Sequence, residues 1–199
     1  MGKIKEICLF CSSSNALDEN YYTLAANFGQ GLAQKGYNLT YGGANVGLME
    51  AAAKAASAGG SHITGVIPEA FAQKGLSSGT ADNVIFVKDL NERKKVLVDI
   101  SDAFVALPGG FGTLDELLEV ITLKQTAFIN KPIIILNYNG FYDYMLKQFD
   151  VFFQENFAKP QYREIYFVAY SVDDIFAYLD KYEPKVDKDW FRVDKKDFD

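Results

Sequence analysis

Short apolar runs alternate along the chain with longer segments in which apolar residues recur at helical spacing. The apolar runs predict β-strands over residues 4–11, 37–41, 62–67, 83–87, 103–107, 133–136 and 166–169. The segments between them predict helices over residues 22–32, 47–58, 90–100, 113–123, 142–155 and 172–179. This alternation is typical of a parallel sheet with helices on both faces. We therefore predict a single α/β domain over residues 1–182 of the 199-residue chain.

The last residues depart from this pattern. From Glu183 onward, charged residues alternate with Trp190, Phe191 and Phe198. We interpret 183–199 as a C-terminal tail that docks on the domain or on a partner subunit, or that frays.

A glycine-rich segment follows the strand predicted at 103–107, whose continuous apolar character is typical of a central strand. It reads Pro108-Gly109-Gly110-Phe111-Gly112-Thr113 and opens the next helix. Ligands of open parallel sheets bind beyond the carboxyl ends of the strands, where this segment lies. Because glycine lets the backbone approach a ligand, the amides here can line an anion nest at the positive end of the helix. We predict a phosphate site that is neither a P-loop nor a dinucleotide fingerprint.

Charged side chains near this segment supply candidate chemistry. Glu116 lies one helical turn beyond Thr113, where it could simply cap the helix. A carboxylate beside a phosphate nest could instead serve a cation, and cleavage of a ribosyl bond builds such a cation at the sugar. Arg93 and Lys94 could be ordinary solvated charges, or one of them could reach the same crevice. A guanidinium there would clamp phosphate or orient Glu116.

Composition restricts the partners and the compartment. The formal net charge of −6 argues against general affinity for nucleic acid, which depends on many basic residues. The sequence shows neither a signal-peptide pattern at its start nor an apolar stretch of membrane length. We expect a soluble, cytoplasmic protein with neither a nucleic-acid nor a membrane partner.

The cysteines and the histidine offer little for a metal. Cys8 and Cys11 stand alone as a pair, and His62 is the one histidine in the chain. On a strand, the two cysteines would point to opposite faces, so we expect buried thiols in a reducing cytosol and no metal site. For His62 we expect a structural or exposed role.

The connection between residues 68 and 82 is long and contains Gly75, Ser77, Ser78 and Gly79. Long connections in compact domains are often functional lids. A mobile surface loop is the alternative interpretation.

Taken together, the motifs resemble the Lonely Guy (LOG) family, the cytokinin riboside 5′-monophosphate phosphoribohydrolases. The most specific are Glu92-Arg93-Lys94 and the segment from Pro108 to Thr113 followed by Leu114-Asp115-Glu116. The likeness covers most of the chain, with order and spacing kept. It includes Phe10-Cys11-Ser12-Ser13-Ser14, Tyr41-Gly42-Gly43, Gly47-Leu48-Met49, Gly65-Val66-Ile67-Pro68 and Lys131-Pro132 before Leu136-Asn137.

The resemblance implies a Rossmann-like, doubly wound homodimer that hydrolyses the N-glycosidic bond of a nucleoside 5′-monophosphate without a cofactor. It implies that Arg93 and Glu116 form the catalytic pair. The residues it implies for phosphate and substrate binding are Gly109, Gly110, Phe111, Gly112, Thr113, Lys94, Ser13, Gly43, Met49 and Thr122. The base is expected toward Met49 and the 68–82 connection, and its identity and N6 substituent stay open.

Three positions depart from the family pattern. Ser12, Ala44 and Glu50 stand where the family usually has glycine. The first two narrow the space for a ligand, and Glu50 adds a carboxylate near the crevice. We expect these changes to affect substrate choice more than the catalytic pair.

Two other functions compete with hydrolysis. A non-catalytic nucleotide or molybdenum-cofactor carrier would bind a ligand without releasing base, with little dependence on Glu116. A DNA-processing protein of related fold is the third possibility, and the acidic balance counts against it.

Overall fold

The structure, a computed structural model, describes residues 4–184. Most of the predicted tail, including Trp190, Phe191 and Phe198, lies outside the described residues, so the division at residue 182 stays a prediction. Within residues 4–184, no helix has the length and apolar character needed to cross a membrane.

Seven strands and seven helices alternate in the described part of the chain. The strands are β1 (Glu6–Phe10), β2 (Asn38–Tyr41), β3 (Ile63–Pro68), β4 (Asn83–Val87), β5 (Ala103–Ala106), β6 (Ile133–Leu136) and β7 (Phe167–Ala169). The helices are α1 (Glu19–Lys35), α2 (Gly47–Ala58), α3 (Glu69–Ala72), α4 (Leu90–Ile100), α5 (Phe111–Gln125), α6 (Asp143–Gln154) and α7 (Val172–Asp180). All the predicted strands and helices are present. The prediction omits the single turn α3 and two short 3-10 helices, Tyr138–Gly140 and Pro160–Glu164.

The strands form one sheet in the order β4-β3-β2-β1-β5-β6-β7, and every pair is parallel. The chain starts in the middle with β1, moves outward to β4, and then returns to the other side of β1 with β5. This is a doubly wound, Rossmann-like arrangement, which confirms the predicted fold class. Its topological switch point lies between β1 and β5, where such sheets bind ligands.

The sheet separates two apolar cores. Alternate residues of β1 point to opposite sides, so Ile7 packs in the core with α1, α2 and α7, and Cys8 packs in the core with α4, α5 and α6. The cysteines Cys8 and Cys11 are both free and buried, as predicted. Burial in these apolar surroundings raises the pKa of both thiols, so neither is an activated nucleophile.

Strands β1 and β5 are also joined at their starting ends. The Asp102 carboxylate accepts 2.9 Å hydrogen bonds from the backbone N–H groups of Lys5 and Glu6, 97 and 96 positions earlier. This contact fixes the register in which Cys8 lies opposite Phe104. The loops that leave the carboxyl ends of β1 and β5 are therefore brought side by side.

Candidate active site

A cleft of about 450 Å³ opens at the carboxyl edge of the sheet, at the switch point between β1 and β5. Its floor comes from the end of β1 and the serines that follow it. One wall is the start of α5, and the opposite wall is the turn between β2 and α2. Arg93 reaches in from α4. Four separate segments of the chain thus converge on one space.

The start of α5 has the geometry of an anion site. The first amide to bond within this turn is that of Leu114, which donates to Gly110 O at 3.0 Å. The preceding amides of residues 111–113 lie at the positive end of the helix, in the wall of the cleft. A Cβ on Gly109 would lie 2.1 Å from Thr113 Oγ1, so the tight turn into the helix requires glycine there. This geometry fits a phosphate group.

Arg93 and Glu116 face each other across the two helices that flank β5. The start of α4 is fixed by the Asp89 side chain, which accepts from the Glu92 backbone N–H at 2.8 Å. Arg93 Nη2 then donates to Glu116 Oε1, and the side chains are only 15% and 10% exposed. Gly42 lies beside the guanidinium, since a Cβ there would be in ordinary van der Waals contact with Arg93 Nη1, at 3.4 Å.

Glu116 is not a helix cap. Helix α5 begins at Phe111, so Glu116 is its sixth residue, and its carboxylate accepts from Arg93 of another helix. The capping alternative is therefore wrong.

The environment of Glu116 changes its acidity. Burial raises the pKa of this carboxyl to about 7, and the neighbouring Arg93 limits the rise. Near neutral pH the group is present in both protonation states. Arg93 Nε is buried and has no hydrogen-bond partner among the described residues. The pair therefore places a titrating carboxyl and a guanidinium at the same cleft.

Most of the predicted site residues line this cleft. Those that do are Ser13, Met49, Arg93, Gly110, Phe111, Gly112, Thr113 and Glu116. Gly109 lies one residue behind them and borders an adjacent apolar hollow with Leu17, Tyr21 and Phe141. For these residues the structure supplies a position, while their roles stay predictions.

Three of the residues predicted to bind substrate do not line the cleft. Gly43 turns away from the cleft, and its carbonyl accepts from the Ser78 backbone N–H at 2.9 Å. Lys94 pairs with Asp115 and Glu119 at 3.1 and 2.6 Å, which ties α4 to α5 outside the cleft. Thr122 is exposed and donates to Leu118 O at 2.8 Å. Any contact of these residues with substrate stays a prediction.

Other cleft residues were not predicted as binding positions. Gly42, rather than Gly43, faces Arg93 and Met49, while Leu9, Cys11, Ser12 and Ser14 complete the lining near β1. Gly42 directly follows the last residue of β2, and this position at the carboxyl end of a strand could have identified it as a cleft residue. The residues at the end of β1 could have been identified because the central strand ends at the switch point, where such sheets bind ligands.

The connection that follows β3 does not line the cleft. Ser78 Oγ and Thr80 Oγ1 donate to the Glu50 carboxylate at 2.6 and 2.9 Å, and Asn45 N donates to Leu76 O at 2.9 Å. Glu50 thus anchors this segment to α2. Met49 lines the cleft and no residue of the 68–82 connection does, so a contact between this connection and the base stays a prediction.

The remaining candidates are His62 and clusters of metal-binding side chains. His62 is exposed and lies 3.4 Å from Asp82, in agreement with the expected role. Among residues 4–184, no group of three or more His, Cys, Asp or Glu side chains could hold a metal ion.

Sequence comparisons link the chain to named enzymes. A family model described as "Possible lysine decarboxylase" matches residues 49–179. The cytokinin riboside 5′-monophosphate phosphoribohydrolase LOG5 of Arabidopsis thaliana is 38% identical over 98% of this chain and 87% of its own length. The probable cytokinin riboside 5′-monophosphate phosphoribohydrolase LOGL5 of Oryza sativa subsp. japonica is 39% identical over 92% of this chain and 74% of its own length.

Structural comparisons support the fold. The molybdenum cofactor binding protein of Rippkaea orientalis superposes with a TM-score of 0.69 at 23% identity, covering 89% of this chain and 96% of its own. DNA processing protein A of Helicobacter pylori gives a TM-score of 0.60 at 11% identity, covering 91% of this chain and 83% of its own. At these identities the likeness concerns architecture alone.

Proposed function

Since this chain belongs to the Lonely Guy family of cytokinin riboside 5′-monophosphate phosphoribohydrolases, we propose that it hydrolyses the N-glycosidic bond of a nucleoside 5′-monophosphate. The products are the free base and ribose 5-phosphate, and the substrate is adenosine 5′-monophosphate or an N6-modified derivative. The observation that carries the proposal is the contact between Arg93 and Glu116 beside the amides at the start of α5.

The proposed reaction follows from this geometry. The substrate phosphate occupies the nest at Gly110–Thr113, whose amides and helix dipole hold its charge. As the bond from C1′ to the base breaks, its electron pair leaves with the base, and positive charge develops at the sugar. Ionised Glu116 stabilises that cation or orients the water whose oxygen bonds to C1′, and the proton that this water loses ends on the departing base. Arg93 holds the carboxylate in position and donates to the substrate phosphate. The hydrolysis uses water and requires no cofactor.

An assay of base release tests this function. Adenosine, guanosine, cytidine and uridine 5′-monophosphates, an N6-prenylated adenosine 5′-monophosphate and the corresponding nucleosides are each incubated with the protein, and chromatography identifies the free base. We expect release from the adenine nucleotides and none from the nucleosides, because nucleosides have no phosphate for the nest. Saturable nucleotide binding without release of any base would instead favour a carrier.

The acidity of Glu116 predicts a pH dependence. The mechanism needs the ionised carboxylate, and burial raises its pKa to about 7. We expect kcat/KM to fall about tenfold per pH unit below about pH 7 and to level off above it. The substrate phosphate ionises near pH 6, so its effect on the rate profile has a lower midpoint than that of Glu116 and can be distinguished from it. A profile that stays flat down to pH 5 would contradict a role for ionised Glu116.

We also propose that the protein is a homodimer. Phe111 is 94% exposed and Leu118 is 43% exposed, and their spacing of two helical turns places them on one face of α5. An apolar stripe of this kind is typical of a subunit interface. Sedimentation equilibrium should give about twice the chain mass of 22.2 kDa. The Leu118→Asp variant should sediment as a monomer, and an unchanged mass would place the interface elsewhere.

The compartment proposed is the cytoplasm. Both cysteines are free thiols, which is typical of proteins in a reducing environment.

A further inference from the structure

A second cavity, of about 360 Å³, lies at the opposite edge of the sheet from the active site. Its inner wall is formed by the last turn of α5, the start of β7 and the end of α7. The aromatic residues there are Tyr166, Phe167, Tyr178 and Tyr182. Phe167 and Tyr178 stack with ring centroids 4.3 Å apart, so this wall is firmly packed.

The inner wall also carries an isolated amine. Lys124 is only 2% exposed, although it lines the cavity. Among residues 4–184, no carboxylate lies within ion-pair distance of its Nζ atom. The contacts of that atom are the Tyr182 hydroxyl at 3.4 Å and the Tyr182 ring at 5.5 Å from its centroid. A buried lysine is ordinarily paired, so this arrangement needs a chemical explanation.

The charged residues at the rim do not compensate the amine. Glu164, Lys181 and Glu183 border the cavity and are exposed. Burial alone lowers the pKa of Lys124 to about 8, with no contribution from either glutamate. At pH 7 such an amine is roughly 10% neutral, against roughly 0.03% for a lysine at its ordinary value of 10.5. The neutral amine is the nucleophilic form.

We propose that Lys124 is the nucleophile of a second ligand site, at which it condenses reversibly with small aldehydes to form an imine. Its lack of a carboxylate partner within residues 4–184 and its position in an aromatic cavity carry this proposal. The nitrogen lone pair attacks the carbonyl carbon, one water molecule leaves, and a C=N bond replaces the C=O bond. The step needs no oxidant or reductant, and hydrolysis reverses it.

The cavity selects among aldehydes. Its four aromatic residues favour a flat, unsaturated or aromatic body over a sugar, because aromatic rings pack well against one another. Burial raises the pKa of Tyr182 to about 12, so its phenol is neutral at physiological pH. Among the described residues of the inner wall, Lys124 therefore supplies the reactive group.

This site is independent of the proposed hydrolysis. Lys124 lies in the last turn of α5, whereas the nest lies in its first turn, so the two face opposite edges of the sheet. A ligand at Lys124 therefore leaves the cleft open.

The test is selective labelling of the full-length protein. It is incubated with benzaldehyde and sodium cyanoborohydride, which traps the imine as a stable benzylamine, and peptide mass spectrometry measures the rate at each lysine between pH 6 and 10. We expect Lys124 to react at least about tenfold faster than the exposed Lys54 at pH 7. The Lys124 rate should reach half of its maximum near pH 8.

Lys131 is the matched internal control. It is also partly buried, but its Nζ donates to Val98 O at 2.7 Å, and it lines neither the cavity at Lys124 nor the cleft. It should react more slowly than Lys124, and unfolding in denaturant should abolish the difference. Lys124→Arg should lose this one adduct and keep its base-release activity. A Lys124 rate within twofold of Lys54, or a midpoint above pH 10, would overturn the proposal, and neither result would affect the proposed hydrolysis.

Discussion

Replacement of Glu116 by glutamine is expected to lower the rate of base release by at least about 1000-fold. Glutamine has the same shape and can still accept from Arg93, but it has no negative charge for the sugar cation. Steady-state assays of released base measure the change. Substrate affinity should change much less than kcat, because the lost interaction forms mainly in the transition state.

Glu119→Gln is the matched control for this variant. Glu119 lies one turn further along α5 and pairs with Lys94 outside the cleft. Its loss should leave the rate of base release within about twofold of the wild type, since a surface ion pair contributes little. Retention of more than about a tenth of the activity by Glu116→Gln would overturn the proposed mechanism.

The same variant tests the stability of the fold. Burial raises the pKa of Glu116 to about 7 from an ordinary value of 4.5. The associated stability is fully present below pH 4.5 and is lost as the pH rises through 7. Glutamine removes this titration, so the variant should unfold at pH 8 no more easily than the wild type. Inactivity of the variant therefore cannot be attributed to unfolding.

Replacement of Arg93 by methionine is expected to lower kcat/KM by at least about 100-fold. The guanidinium contacts Glu116 and belongs to a side chain that lines the cleft, and its Nε is buried without a hydrogen-bond partner among the described residues. Because Arg93 holds the pKa of Glu116 down, its loss should also move the acidic limb of the pH profile above pH 7. Arg93→Lys keeps the charge without the planar fork of donors, so a partial loss is expected.

A double-mutant cycle distinguishes one functional unit from two separate ones. If Arg93 acts mainly by positioning Glu116, the Arg93→Met/Glu116→Gln double variant should be about as impaired as Glu116→Gln alone. Fully additive losses would contradict that coupling. Arg93→Met leaves a buried carboxylate without its partner, so thermal denaturation should show a loss of stability at pH 8 that shrinks at pH 5.

The order of strands and helices could be predicted from the sequence because both periodicities are strong. In a parallel sheet the central strands are buried on both faces, and runs such as 103–107 and 133–136 are apolar throughout. Helix α2 was predicted with the bounds that it has, since Gly47 and Gly59 flank its run of alanines. The single turn α3 was missed because four residues carry no readable period.

The candidate site could be predicted where one motif carries both position and chemistry. The glycines that open α5 and the nearby Glu116 share a helix, so their proximity follows from the sequence. Arg93 comes from another helix, and the family resemblance, rather than spacing, paired it with Glu116.

Which of several neighbouring residues lines the cleft depends on tertiary contacts, and these could not be predicted from the sequence. Gly42 and Gly43 are adjacent, and only the direction of the turn shows which one faces Arg93. Lys94 adjoins Arg93, but its partners Asp115 and Glu119 lie on α5, outside the cleft. Glu50 looked like an added charge at the crevice, and the structure gives it two hydroxyl donors from a distant segment.

Because β1 pairs with β5, the candidate active site can form only after most of the chain has been synthesised and these two strands have come together. Glu6 meets Asp102 across 96 positions of chain, and closing so long a loop slows folding. A nascent chain that has emerged only as far as β4 holds Ser13 and Met49 but no phosphate nest and no acid. Truncated or incompletely translated copies should therefore be inert toward nucleoside 5′-monophosphates.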